Sequence, residues 1–277
     1  MRGVLHRVGL VAGVLFCIST QGFAGAWNQD VGHGQLIFTS SFFQTSSQFD
    51  ANGATQHFGG DGKFRQFNLN PYFEYGLTQR NTLVMNANAP FLKFSNDFGS
   101  ETSAGIGDME VALKRRFNNV ESAWALSGQI TVSFPAYGAD RNPAPGNHQE
   151  DVETRFLLGR GLMIAHHKMF WDAETAYRYR SGAPTDQIRA DITGGFDITP
   201  RFMAMAQFFA IKGLRNGDLF STTNPNAQSD FDLYKSQLSL VAKVSHTLRL
   251  QAGWCDAFSG RNTGRGHTAI LAVWKTF

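Results

Sequence analysis

Residues 124–134 read WALSGQITVSF. Trp124, Leu126, Ile130, Val132 and Phe134 share one parity, interrupted by Gly128; Ala125, Ser127, Gln129, Thr131 and Ser133 share the other. An extended chain sends successive side chains to opposite faces. The segment therefore has one apolar and one polar face, over the length that a tilted strand needs to cross bilayer hydrocarbon. A common strand of a soluble domain is roughly half as long. One such segment is a weak sign of a membrane barrel, so the weight falls on whether the pattern recurs.

It recurs along the chain. Strands are expected over 34–44, 64–77, 82–93, 107–117, 124–134, 151–160, 169–180, 187–198, 201–214, 232–244, 248–256 and 267–277. In 64–77, Pro71 has no N–H for a ladder, and a bulge or irregular pair is expected there. Long connections are expected at 45–63, 94–106, 135–150, 215–230 and the Gly-rich 257–266, with 181–186 tighter. Short turns are expected at 78–81, 118–119, 165–168, 199–200 and 245–247. Bacterial outer-membrane barrels have an even number of strands, short periplasmic turns and longer outer loops. The reading is an all-β, transmembrane, antiparallel up-and-down barrel of about 12 strands, with both termini on the periplasmic side. Phe277 ends the last expected strand and resembles the terminal aromatic that serves outer-membrane barrels as an assembly signal.

Arg2 and Arg7 precede an apolar run, 8–18, and small residues follow at Ala24-Gly25-Ala26. This is the pattern of a secretory signal peptide, expected over 1–26 with cleavage after Ala24 or Ala26; 27–277 is then a single barrel domain. Cys17 does not make a lipoprotein site, because the bulky Phe16 stands before it. Removing the signal leaves Cys255 alone, so no internal disulfide forms. The signal carries two arginines and no acids, which leaves 23 Lys and Arg against 22 Asp and Glu. Without a basic excess a nucleic-acid partner is not expected. Aromatics are 13%, with 25 Phe against 6 Tyr, and mean hydropathy is slightly negative. That combination suits a barrel with half of each strand polar, and no run of ~20 apolar residues follows the signal.

The polar parity puts Glu74, Glu110, Lys114, Arg116, Asp172, Glu174, Arg178, Arg180, Arg189, Asp191, Asp197, Lys235, Lys243 and Arg249 on the lumen side. Facing lipid would cost Arg or Lys about 2–4 kcal/mol at the midplane. Both signs occur, so a simple anion or cation selector is not expected. Two readings of the mixed interior stand: a salt-bridge network propping the barrel, or a track for a neutral or zwitterionic polar solute. Few aromatics are expected inside, Tyr72 being the clearest.

No enzyme is expected. No G-x-S-x-G occurs, His166-His167 reads as a solvated turn, and His33, His57 and His148 lie in connections without metal-ligand spacing. Gly32-His33-Gly34 and Gly105-Ile106-Gly107 lack the strand-to-helix context of a phosphate loop. Cofactors and metals are not expected.

Four segments carry a family resemblance: GAWNQDVGHGQLIFTSSFF (25–43), FNLNPYFEYGLTQRNTL (67–83), GIGDMEVALKRRF (105–117) and AETAYRYRSGAPTDQIRADITGGFDITPRF (173–202). In that order they resemble the outer-membrane barrels grouped around XagA-like proteins and the meta-pathway phenol-degradation barrels, over most of the mature chain. The resemblance implies an outer-membrane channel or transport component of a Gram-negative bacterium. XagA-like members imply a link to exopolysaccharide export and biofilm, with exopolysaccharide synthesis or export proteins as partners beside membrane lipid and the barrel-assembly machinery. The meta-pathway barrels imply uptake of small hydrophobic or aromatic compounds. A closed barrel displaying adhesive loops is a further alternative.

Overall fold

The computed structural model describes residues 25–277. Of the expected signal peptide, all but Gly25 and Ala26 lies outside the described residues. The strands are β1 (Gly34–Phe49), β2 (Thr55–His57), β3 (Lys63–Gly76), β4 (Asn81–Ala87), β5 (Ala89–Asn96), β6 (Gly99–Ala104), β7 (Asp108–Arg116), β8 (Trp124–Pro135), β9 (Asp151–Ile164), β10 (His167–Arg180), β11 (Gln187–Asp197), β12 (Phe202–Gly213), β13 (Asp232–Lys243), β14 (Leu248–Arg261) and β15 (Thr263–Thr276). Every ladder is antiparallel, and β1 pairs with β15 on one side and β3 on the other, which closes the sheet. β4 and β5 run end to end as one stave, as do β6 and β7. The described residues thus form a closed barrel of 12 staves, with β2 an added strip against the end of β1.

The alternation read in 124–134 is the alternation of β8. Ile130 is 58% exposed and its neighbour Thr131 only 5%. Trp124, Leu126, Val132 and Phe134 lie outside with Ile130; Ala125, Ser127 and Ser133 are buried with Thr131. The outer wall continues with Phe38, Phe67, Leu113, Leu238 and Leu271. The termini of the barrel meet in one seam: Gly34 N–H donates to Phe277 O at 2.9 Å, and Phe277 N–H to Gly34 O at 3.0 Å.

Two expected loops are strand instead. Over 94–106, β5 and β6 form a hairpin turning at Asp97 and Phe98. Over 257–266, Ala257 to Arg261 stay paired with β13, and Thr263 to Arg265 with β1. The glycines there give clearance rather than a turn: a Cβ on Gly266 would lie 2.6 Å from Gln44 O. The turn is Asn262, at φ 51°. The expected turn 165–168 narrows to Ala165 and His166, both at positive φ, as a type I′ hairpin turn demands.

Pro71 does mark an irregular pair. β3 pairs with β4 up to Tyr72↔Asn86 and with β5 from Leu69↔Ala89, so the β3 ladder is interrupted at Asn70 and Pro71. Continuing the register would set Pro71 opposite Ala87, whose carbonyl would receive no N–H. Asn70 Nδ2 donates to Ala87 O at 2.6 Å and also reaches the side-chain oxygens of Asn86 (2.8 Å) and Asn88 (3.0 Å). A side-chain amide thus does the work of the absent backbone donor. Asn70→Ala is expected to lower stability by about 1 kcal/mol, the cost of losing a hydrogen bond to a part-buried acceptor. Urea unfolding in micelles, followed by tryptophan fluorescence, measures it.

Candidate functional site

Closing the sheet turns half of every stave inward, and there the charged residues form pairs. Lys114 on β7 meets Glu74 on β3 at 2.7 Å, with the two side chains 1% and 0% exposed. Tyr72 donates to the same carboxylate at 2.5 Å. Arg155 on β9 contacts Glu153 (2.8 Å), Glu174 on β10 (2.5 Å) and Asp191 on β11 (2.5 Å). Arg178 reaches across to Glu110 on β7 at 2.7 Å and to Glu153 at 2.8 Å. Arg189 lies 3.6 Å from Glu153 and donates to Gln187. These groups span β3 to β11, so one arc of the barrel has a charged wall.

The other arc is different. Phe170, Met203, Met205, Val241, Ala272 and Trp274 form a buried apolar cluster, with Ile37 and Trp27 packed on it. Above it, amides link stave to stave: Gln237 donates to Gln207 at 2.9 Å and Gln251 to Ser239 at 2.9 Å. Phe64 is also fully buried. The expectation of few inward aromatics is corrected: Phe64 shares its parity with Tyr72, and Phe170 its parity with Asp172. Phe170 fits because its strand partner is Gly195, where a Cβ would stand 1.9 Å from the ring.

Other expected lumen residues hold the ends. Arg116 is 2% exposed and donates to Asn118 Oδ1 and Trp124 O, both at 2.6 Å, bracing the turn between β7 and β8. Lys243 pairs with Asp197 at 2.5 Å near the short-turn rim. Arg249 stands opposite Lys243 in the ladder. Lys235 lies over the Phe209 ring at 5.4 Å. Arg180 points its guanidinium to Thr185 O and Ser229 O at the long-loop rim. Phe277 stacks against Phe73, centroids 6.1 Å apart, at the seam.

Two parts of the interior were not read from the sequence. One is Asp151, Glu153 and Arg155, whose alternation with Val152 and Phe156 is visible in the chain. The other is the segment ahead of β1, which enters the barrel from the short-turn rim. Gly25 O accepts from Lys114 Nζ at 2.9 Å, and Ala26 O from Ser127 Oγ at 2.5 Å. Trp27 packs edge-on against Phe170, centroids 6.0 Å apart. Gln29 donates its backbone N–H to Thr82 Oγ1 and its side chain to Glu74, at 3.1 and 2.7 Å. Gly159 makes the room: a Cβ there would be 2.7 Å from Trp27.

At the opposite rim, residues 214–231 and 136–150 fold towards each other. Asn224 donates to Ala144 O at 2.7 Å, Asn226 to Gln66 Oε1 of β3 at 3.3 Å, and Thr223 to Asn142. Beside them lies a cavity of about 640 Å³, bordered by Phe58, Phe94, Leu219 and Phe220. A second recess, about 650 Å³, indents the wall where β1 slips register between Gln44 and Ser47; Phe42, Trp254 and Phe258 border it outside and Phe64 inside.

A closed antiparallel barrel with an apolar outer wall and charge pairs inside defines the class of bacterial outer-membrane β-barrels. Solved structures agree. An outer-membrane channel of Pseudomonas putida F1 superimposes with a TM-score of 0.65 at 15% identity, over 91% of this chain and 98% of that one. The KdgM porin gives 0.52 at 6% identity, over 88% and 99%; the NanC porin gives 0.51 at 9%, over 86% and 98%. No protein-family model and no curated protein matches the chain.

Arg155 serves three carboxylates. Arg155→Met is expected to destabilise the barrel by about 3–5 kcal/mol, because it strands buried charge, and urea unfolding in micelles reads the loss. Glu174→Gln, which leaves Arg155 with Glu153 and Asp191, is expected to cost less.

Proposed function

We propose that the protein is an outer-membrane channel of a Gram-negative cell, for small polar solutes of the saccharide class, with its N-terminal segment as the internal gate. The observation that carries this reading is residues 25–30 lying inside a closed barrel, held by Lys114, Ser127, Thr82 and Glu74. Beside the strand side chains, a strip of backbone from outside the strands occupies the lumen, and in this reading that strip is the part that moves. The apolar outer wall faces lipid, the long loops face the outside, and the short turns with both termini face the periplasm. In this reading the signal peptide exports the chain, and the barrel-assembly machinery engages the last strand at Phe277.

The saccharide class is supported by two things. Paired charges of both signs and the amides of Asn68, Asn70, Gln207 and Gln237 bind hydroxyl groups without favouring either ion. The resemblance to XagA-like barrels adds exopolysaccharide export, biofilm and synthesis or export partners. A specific observation favours a second reading, uptake of small hydrophobic compounds: the internal cluster around Met203, Met205 and Trp274 is an apolar surface inside the barrel, and a separate recess indents the wall beside Phe64.

Planar-bilayer recording tests the channel. The full-length barrel is expected to conduct weakly, and a variant lacking residues 25–31 several-fold more. Absence of conductance in both defeats the proposal. Vesicle flux separates the cargoes: a neutral disaccharide is expected to pass the deletion variant, whereas the second reading expects small aromatics to pass and Met205→Asp to slow them.

A further inference from the structure

Asp172 of β10 is 1% exposed, and its Oδ1 has no hydrogen-bond partner. Among the described residues no Lys, Arg or His pairs with it. Lys114, on the same wall, gives its ammonium to Glu74 and to Gly25 O. A carboxyl buried this way is costly as an anion unless it takes up a proton or meets a positive charge.

Gly25 faces this carboxylate. A Cβ on Gly25 would stand 2.8 Å from Asp172 Oδ1. That is too short for carbon and is the length of an N⁺–H···O⁻ hydrogen bond. In glycine the amino nitrogen and the two α-hydrogens occupy three stations about the Cα–C bond. When the peptide bond before Gly25 is intact, its nitrogen is tied to the preceding chain. When that bond is cut, a turn of about 120° about Cα–C, one staggered step, carries the nitrogen to the station beside Oδ1. The Gly25 carbonyl does not move and stays on Lys114.

We propose that the leader is cut between Ala24 and Gly25 and that the new α-ammonium of Gly25 pairs with Asp172 inside the barrel. Water adds across the amide, leaving a carboxylate on Ala24 and an ammonium on Gly25. Processing thereby supplies the counter-charge and latches the gate. The inference rests on reading residues 1–24 as a cleaved leader. The alternative cut, after Ala26, would discard the carbonyl that Lys114 holds and the fully buried Ala26 that Ser127 holds.

The test uses protein purified in detergent from outer membranes. Intact mass is expected to give a chain starting at Gly25. A start at Trp27 overturns the latch while leaving the leader reading intact; an uncut chain overturns both. Amine acetylation by an N-hydroxysuccinimide ester, read on the N-terminal peptide, then tests the pairing. Labelling of Gly25 is expected to be about ten-fold slower than in Asp172→Asn, the factor one charged hydrogen bond supplies. A second variant with one serine inserted between Ala24 and Gly25 keeps Asp172 but displaces the ammonium, and is expected to label fast. Labelling that stays equally slow in Asp172→Asn, or equally fast in all three, overturns the pairing.

Discussion

No backbone N–H or C=O can be left open in hydrocarbon, and the whole molecule answers to that rule. An open sheet has two edges; here β1 is shared by β15 and β3, which closes the ring and leaves edges only on the short strands β2 and β6 at its end. The reciprocal bonds between Gly34 and Phe277 close the ring at one rim. The rule also explains how the ladder of β3 is mended at Pro71. Pro71 withholds a donor, and Asn70 supplies one from its side chain. The polar residue at position 70 thus belongs to the backbone's accounts as much as to the lumen's surface.

Closure then dictates the interior. Half of the strand residues are confined in a narrow cylinder, and charge there must be matched. The arc from β3 to β11 meets this demand with Lys114–Glu74 and with the cluster centred on Arg155. The arc around Met203, Met205 and Trp274 is mainly apolar there and carries fewer charges, among them Lys243 paired with Asp197. Trp27 lies where the two arcs meet, with its ring on Phe170 and its neighbours Ala26 and Gln29 on polar partners.

The architecture was legible because a period of two is a strong signal when it recurs a dozen times. Strand number, closure and the outward set of β8 could all be read from parity. Strand ends could not, since Gly and Ser suit a loop and a thinly packed strand equally; Ala257–Gly266 is the example, where the glycines clear Gln44 O and Phe49 rather than turn the chain. The inward charges of β10 and β11 followed from parity, but their partners did not, because pairing across several staves depends on register and curvature. Arg178–Glu110, three staves apart, is such a pair. The segment 25–30 carries no periodicity, so nothing local marked it as internal.

That segment is held by a near balance of opposing contributions. Ordering six backbone units costs about 6–12 kcal/mol. Against this stand two hydrogen bonds with charged partners, from Lys114 and to Glu74, at roughly 1.5–3 kcal/mol each. Two neutral ones, with Ser127 and Thr82, add about 1 kcal/mol each. Burying most of Trp27 adds about 2–3 kcal/mol. The sums nearly cancel, so a single further contact decides whether the strip stays seated. A strand of the wall has no such freedom, since leaving its place would open ladder bonds to lipid. The wall is therefore fixed by its ladders and the strip only by a near balance of terms, which is why the proposed gate is placed on the N-terminal segment rather than on any stave.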